Sequence, residues 1–257
     1  MRERTILVTG AASGIGRAVA FLAAARGHSV AGLDVDAEGL AALSDAVGGL
    51  AGTVLTVATD VSAERDVSAA FETVTSVLGV PTGVFANAGI EVNTPAHTLT
   101  SAAWDRVLAI NLTGVFLTCR YALEAMISTS VAGSIVCTSS PSAFVGFAGG
   151  GNAAYGASKG GISALVRSLA IDYARYDIRV NAVVPGATAT PMLFTAGAEE
   201  IERQALAEQA RRQIPLGRLA EPAEIATAVL WLLSDEASYV SHLVCDGGLM
   251  AKSANTF

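Results

Sequence analysis

The sequence predicts an α/β fold built as one domain, a doubly wound parallel sheet with helices on both faces. Short Val- and Ile-rich runs recur along the chain and are apolar throughout rather than alternating, as strands covered on both faces must be. Stretches with helical periodicity separate them. Alternating strands and helices fold as right-handed crossovers onto one parallel sheet. At 257 residues, 52% hydrophobic and 15% charged, the chain has the apolar share for a large core and too little charge for disorder.

Strands are expected at Thr5–Thr9, Ser29–Asp34, Thr53–Thr59, Thr82–Ala86, Ser134–Ser139, Ile178–Val183 and Leu243–Cys245. The first helix, Gly14–Arg26, stops at Gly27, a residue suited to the left-handed position after a helix. Asp36 is placed to cap a helix over Ala37–Val47, and further helices are expected over Ala63–Leu78, Ala102–Ser128, Ala153–Tyr176 and Pro222–Leu233. Two of these, Ala102–Ser128 and Ala153–Tyr176, are apolar on nearly every face, which predicts burial on both sides: one against the sheet, the other against a second subunit. The rhythm breaks over about 188–215, where turn residues lead into a polar helix. That insertion reads as a lid over a site, with a plain surface helix as the alternative.

Composition excludes several classes. Net charge is −7, and no basic cluster is longer than Arg211-Arg212, so a nucleic-acid footprint is not expected. Cys119, Cys137 and Cys245 stand in apolar surroundings without paired spacing and read as reduced core thiols of a cytoplasmic protein. The opening Met1-Arg2-Glu3-Arg4 leads straight into a strand with no apolar leader, and no uninterrupted apolar run of about 18 residues predicts a membrane span. His28, His97 and His242 are scattered, so no metal site is expected.

Directly after the first strand comes Thr9-Gly10-Ala11-Ala12-Ser13-Gly14-Ile15-Gly16, followed by a helix. Glycines at Gly10, Gly14 and Gly16 let the chain turn tightly and bring the amides of Ser13, Ile15 and their neighbours up to a pyrophosphate. The helix N-terminus adds partial positive charge. Asp34 ends the second strand 18 residues after Gly16. A carboxylate there accepts from both adenosine ribose hydroxyls and repels a 2′-phosphate, which favours NAD. Later in the chain Tyr155 and Lys159 are four apart on an expected helix and share a face. A nearby ammonium is expected to lower the phenol from its ordinary pKa of about 10 and make it a usable base.

These residues resemble the short-chain dehydrogenase/reductases over nearly the whole chain. Thr9–Gly16 is similar to that family's TGxxxGIG turn, Asp60-Val61 to its adenine-contacting pair, and Asn87-Ala88-Gly89 to its NAG motif. Tyr155-Gly156-Ala157-Ser158-Lys159 is similar to its YxxxK motif, and Asn181 with Pro185-Gly186 to its N-x-x-x-PG stretch. The resemblance implies a Rossmann-type sheet and an NAD-dependent oxidoreductase that passes hydride between nicotinamide and a small-molecule alcohol or ketone. It implies Tyr155 as general acid/base and Lys159 on the nicotinamide ribose. Ser140 would bind the substrate oxygen, and Asn111 would open its helix and hold a water that completes a proton relay. Thr188 and Thr190 would contact the carboxamide, and Glu91, Phe144, Val145, Asn152, Met192, Leu193 and Phe194 are candidate pocket walls. It also implies a homotetramer.

The chain departs from the family's pattern twice. Tyr155 lies 15 residues after Ser140, two more than usual, which leaves Ser142 at the usual count; Gly149-Gly150-Gly151 looks like the inserted material, which favours Ser140. The stretch from Tyr239 to Asp246 is shorter than the family's closing strand and lacks its glycine after Ser241, so a short or bulged last strand is expected. A nucleotide sensor or scaffold of the same fold without turnover is the competing function. An epimerase or dehydratase ranks third.

Overall fold

The computed structural model of the protein describes residues 4–147, 149–194 and 200–251. Residues 1–3 and residues 195–199, inside the expected insertion, lie outside the described residues. Seven strands form one parallel sheet: β1 (Thr5–Thr9), β2 (Ser29–Asp34), β3 (Thr53–Ala58), β4 (Gly83–Ala86), β5 (Gly133–Thr138), β6 (Ile178–Pro185) and β7 (His242–Cys245). Their order is β3-β2-β1-β4-β5-β6-β7. The chain reverses direction of build between β1 and β4, so a crevice opens at the carboxyl ends of those two strands.

The strands alternate their side chains between two cores. Leu7, Ala31, Val84, Ile135 and Cys137 face the layer of α3 (Glu64–Leu78), α5 (Gly114–Ser128) and α6 (Ala153–Tyr173). Ile6, Val8, Val30, Phe85 and Val136 face α1 (Gly14–Ala25), α2 (Ala37–Val47) and α8 (Pro222–Leu233). Both faces are covered, which is why the strands read as continuous apolar runs. Gly27 has φ +83, as a residue after a helix end requires, and Asp36 caps α2 by accepting from Gly39 N at 3.0 Å.

Several boundaries differ from the sequence reading. The stretch expected as one helix over Ala102–Ser128 is α4 (Ser101–Leu108), a π turn at Ala109–Thr113, and α5. At the π turn Asn111 turns its amide onto the backbone of Ile90, accepting from Ile90 N and donating to Ile90 O at 2.8 Å each. Helix α6 ends at Tyr173 and tightens into a 3-10 turn over Ala174–Tyr176 before Asp177, which is left-handed at φ 55. β6 runs on to Pro185. β7 is short, four residues, but its register from Ala182↔His242 to Pro185↔Cys245 is unbroken, so it is not bulged.

By length and composition alone the stretch Ser101–Ser128 could cross a bilayer, but it is interrupted by the π turn and half of its most apolar window is buried inside the fold. Outward faces of this layer keep apolar side chains, with Phe116 43% and Ile171 78% exposed. The polar part of the 188–215 insertion is α7 (Glu200–Gln213).

Gly52 sits where α1, β2 and β3 converge, and a Cβ there would lie 2.1 Å from His28 O and 2.8 Å from Ala24 O. Gly52→Ala is expected to cost about 2 kcal/mol or more in urea unfolding, because backbone must move. Gly146→Ala, with open space around it, is expected within about 0.5 kcal/mol of wild type.

Candidate active site

The glycine turn, Asp34, Asn87-Ala88-Gly89 and Pro185-Gly186 all follow or close the carboxyl ends of sheet strands, while Asn181 lies inside β6. Gly10 and Gly14 in the β1–α1 turn have φ +69 and +54, and a Cβ on Gly16 would lie 1.9 Å from Gly10 O. Ser13 is the N-cap of α1, yet its side chain makes no capping bond and the first turn carries no acid. The leading amides around Ile15 and Gly16 are thus left for an external acceptor, and the helix dipole favours a negative one. This cradle fits a dinucleotide pyrophosphate.

Asp34 braces the same turn. Its Oδ2 accepts from Ala12 N at 3.0 Å and its Oδ1 from Asp36 N at 3.1 Å, which still leaves carboxylate lone pairs for ribose hydroxyls. Asp60 is exposed after β3 and accepts from Ser62 N and Oγ at 2.9 and 2.7 Å. Val61 beside it is buried against Gly114, where a Cβ would meet it at 2.8 Å. After β4, Asn87 N and Ala88 N both donate to Thr9 Oγ1, at 2.9 and 3.1 Å, and Asn87 Oδ1 accepts from Thr138 Oγ1 at 3.0 Å. Thr9 and Thr138 were not singled out from the sequence as site residues. They are buried hydroxyls at strand ends that tie β1, β4 and β5 together; Thr9 opens the glycine motif, while strand-end position was the only signal for Thr138. Gly89 lies against Asn111, where a Cβ would be 3.3 Å from Oδ1.

Tyr155 and Lys159 share a face of α6, as their spacing predicts, with Lys159 Nζ 5.4 Å from the Tyr155 ring centroid. Lys159 is buried and donates to Thr138 O at 2.7 Å. Ser140, at the end of β5, reaches the Tyr155 phenol with its hydroxyl. Ser142 lies one step further out, its Oγ 3.3 Å from Ser140 Oγ. Ser139 points the other way, to Ser163 Oγ at 2.8 Å and Lys159 O at 3.2 Å, so the two adjacent serines have separate tasks. The glycine segment between Ser142 and Tyr155 bulges, with φ +63 and +73 at Gly150 and Gly151.

The electrostatics reverse one expectation from the sequence. Burial and the Glu91 carboxylate push the Tyr155 phenol up to about 12, against a lowering by Ser140. Burial pulls Lys159 down to about 8, with Cys137 and Glu91 opposing. Burial is the largest influence on each group, so the phenol at rest is a proton-bearing acid rather than a phenolate.

Asn111 is fully buried, and both of its Nδ2 protons are committed, one to Ile90 O and one to Ser158 Oγ at 3.2 Å. Its side chain is a latch between the β4 loop and α6. Asn181 is buried within β6, four residues before Pro185, which closes that strand. Thr188 is buried, spends its hydroxyl proton on Gly186 O at 3.0 Å and bridges to Ala220. Thr190 stands against the phosphate turn, its Cβ 3.3 Å from where a Cβ on Gly14 would be. Phe144, Val145 and Met192 are 52%, 42% and 48% exposed, at the rim rather than in a closed wall.

A family profile described as Enoyl-(Acyl carrier protein) reductase matches residues 10–250. The chain is 44% identical over 252 residues to cis-4-hydroxycyclohexanecarboxylate dehydrogenase of Sinomonas cyclohexanicum, covering 97% of each chain. It is 41% identical over 257 residues to levodione reductase of Leifsonia aquatica, covering 97% of this chain and 95% of that one. A crystal structure of levodione reductase superposes with TM-score 0.91 at 40% identity, covering 98% and 100% of the two chains. The structure of a 3-ketoacyl-(acyl-carrier-protein) reductase from Brucella melitensis complexed with NADH gives TM-score 0.85 at 31% identity, covering 96% and 98%.

Lys159 supplies a test of these electrostatics. Its folded pKa of about 8 lies below the ordinary 10.5, so across that window the unfolded chain binds the proton that the folded one has shed. Raising pH from 8 to 10.5 therefore favours the folded state through this residue, by at most on the order of 3 kcal/mol. Urea melts of wild type and Lys159→Met are expected to diverge in slope across that window, with wild type gaining. Parallel slopes would contradict a buried lysine.

Proposed function

The chain belongs to the short-chain dehydrogenase/reductase family and is an oxidoreductase of alcohols and ketones; we propose that it is NAD(H)-dependent and works through Tyr155 as general acid/base. The observation that carries this reading is the buried Lys159 ammonium held beside the Tyr155 ring, at the sheet edge where the glycine turn opens. A sensor or scaffold has no need to bury a lysine there, where its charge is unfavourable.

The dinucleotide, when bound, accepts or returns the hydride. The protein's own groups manage the oxygen and its proton. Ser140 donates to the substrate oxygen and fixes it near the phenol. In reduction Tyr155 gives its proton to the forming alkoxide, a task for which a phenol resting as the acid is ready. In oxidation Tyr155 must take the alcohol proton, and the Lys159 ammonium supplies positive charge that makes this accessible. We assign Lys159 to the nicotinamide ribose hydroxyls as well. The π turn around Asn111 frees backbone from regular helical pairing, and we assign to it the water of a relay from Lys159 to solvent.

Asp34 carries the choice of NAD, since its two oxygens face the turn that receives the adenosine half and no basic residue follows at Val35 or Asp36. The NADH complex of a relative supports a nicotinamide cofactor of this type. Asp60 and Val61 are assigned to the adenine, Asn87-Ala88-Gly89 to the ribose side, and Pro185, Gly186, Thr188 and Thr190 to the carboxamide. The name of the Sinomonas relative suggests a substituted six-membered ring as substrate. We further infer a cytoplasmic homotetramer, with the apolar outward sides of α5 and α6 as the subunit contacts and the 188–215 insertion as a lid.

Tyr155→Phe is expected to lower kcat by at least about a thousandfold in a 340 nm assay with cyclic alcohols and NAD⁺, with intact folding by circular dichroism. Turnover that survives this change rejects the assigned acid/base. Asp34→Ala is expected to shift the kcat/KM preference toward NADP⁺ by at least about tenfold, since repulsion of the 2′-phosphate is removed. An unchanged preference places cofactor choice elsewhere.

A further inference from the structure

Two polar side chains beside Tyr155 are not needed for the hydride chemistry. Glu91 follows the Asn87-Ala88-Gly89 turn at the end of β4, and Asn152 is the N-cap of α6, three residues before Tyr155. Asn152 Nδ2 donates to Glu91 Oε1 at 2.9 Å, and Thr94 N donates to Gly151 O at 2.8 Å, so the β4 loop is clipped to the start of the catalytic helix. The Asn152 amide is thereby fixed in orientation, because a flip would set its oxygen against the carboxylate. Its Oδ1 is buried and has no hydrogen-bond partner. Glu91 is half-buried and is held by Asn152 at the start of the helix that carries Tyr155, close enough for its charge to be felt by both Tyr155 and Lys159. Each ionised carboxylate oxygen accepts more than one hydrogen bond, so Glu91 keeps accepting capacity after its amide donors are counted.

An acceptor-only carboxylate clipped to the start of the helix that carries Tyr155, near the hydroxyls of Tyr155 and Ser140, suits a substrate with two oxygen functions. One is the reacting alcohol or ketone. The second must donate a hydrogen bond. We propose that Glu91, positioned by Asn152, is a specificity residue that binds a second hydroxyl of the substrate, so that ring diols and hydroxyketones are preferred over simple alcohols and over substrates bearing a carboxylate. This rests on the oxidoreductase reading above and names the substrate class of that same site. A carboxylate on the substrate would meet the Glu91 charge at a partly desolvated place, where like charges repel most strongly. Asn152 acts through Glu91 and is a positioning residue.

The test compares 1,4-cyclohexanediol, cyclohexanol and 4-hydroxycyclohexanecarboxylate as substrates for wild type, Glu91→Ala and Glu91→Gln. The ratio of kcat/KM for diol over cyclohexanol is expected to fall at least tenfold in Glu91→Ala. Glu91→Gln keeps an acceptor oxygen, so it should retain most of that ratio while the carboxylate substrate improves severalfold. Asn152→Ala is expected to raise KM for the diol more than it changes kcat. A ratio that moves less than twofold in Glu91→Ala means that Glu91 is only a strut between two loops, and overturns the proposal. Calorimetric binding of the diol to Tyr155→Phe protein with NADH, with and without Glu91→Ala, reads the same contact without turnover. Diol binding that weakens at least tenfold with Glu91→Ala supports the proposal even if Tyr155 proves not to be the acid/base; equal binding overturns it.

Discussion

The site depends on one constraint: a buried ammonium and a half-buried phenol are held together at the end of a parallel sheet. Among the described residues, Lys159 donates to the carbonyl of Thr138. That carbonyl is where it is because β5 is central, paired to β4 on one side and β6 on the other. Thr138 also holds Asn87 through its hydroxyl, and Asn87 in turn leans on Thr9. A chain of short polar contacts thus runs from the lysine to the phosphate turn. Burial dominates the charges along it, which leaves the phenol protonated and the lysine easier to deprotonate than usual.

This arrangement is unfavourable for stability and is carried by the surrounding packing. Two apolar cores sandwich the sheet, and the helices around the site are fastened by polar side chains used as latches. Asn111 fastens the β4 loop to α6 through Ile90 and Ser158, at the cost of a π turn in its own helix. Ser139 and Ser163 fasten α6 to β5. Asp34 fastens the glycine turn to β2. Each latch leaves a neighbouring group, Ser140, Tyr155 or the α1 amides, turned toward the crevice.

Much of this was legible from residue order. Strand positions followed from continuous apolar runs, and the α2 start from Asp36. The pairing of Tyr155 with Lys159 followed from a four-residue spacing on one helix. What escaped depends on contacts between distant segments. The resemblance implied that Asn111 opens its helix, but not that it does so by pairing with Ile90, 21 residues away. The extra length of β6 needs β7 alongside it as a partner. The direction of the Tyr155 shift could not follow from the nearby lysine alone, because the desolvation of both groups and the arrival of Glu91 are products of the fold. The Glu91–Asn152 clip joins residues 61 apart, neither in a recognisable motif.

The most direct test is the titration of Tyr155 itself in the dinucleotide-free protein. With ¹³C-labelled tyrosine, the ring resonance that disappears in Tyr155→Phe can be followed against pH. The account predicts that it stays in the phenol form through pH 10 and titrates at about 12. A midpoint below the ordinary 10 would mean that attraction to Lys159 outweighs burial, and would contradict the account of how this site rests and reacts.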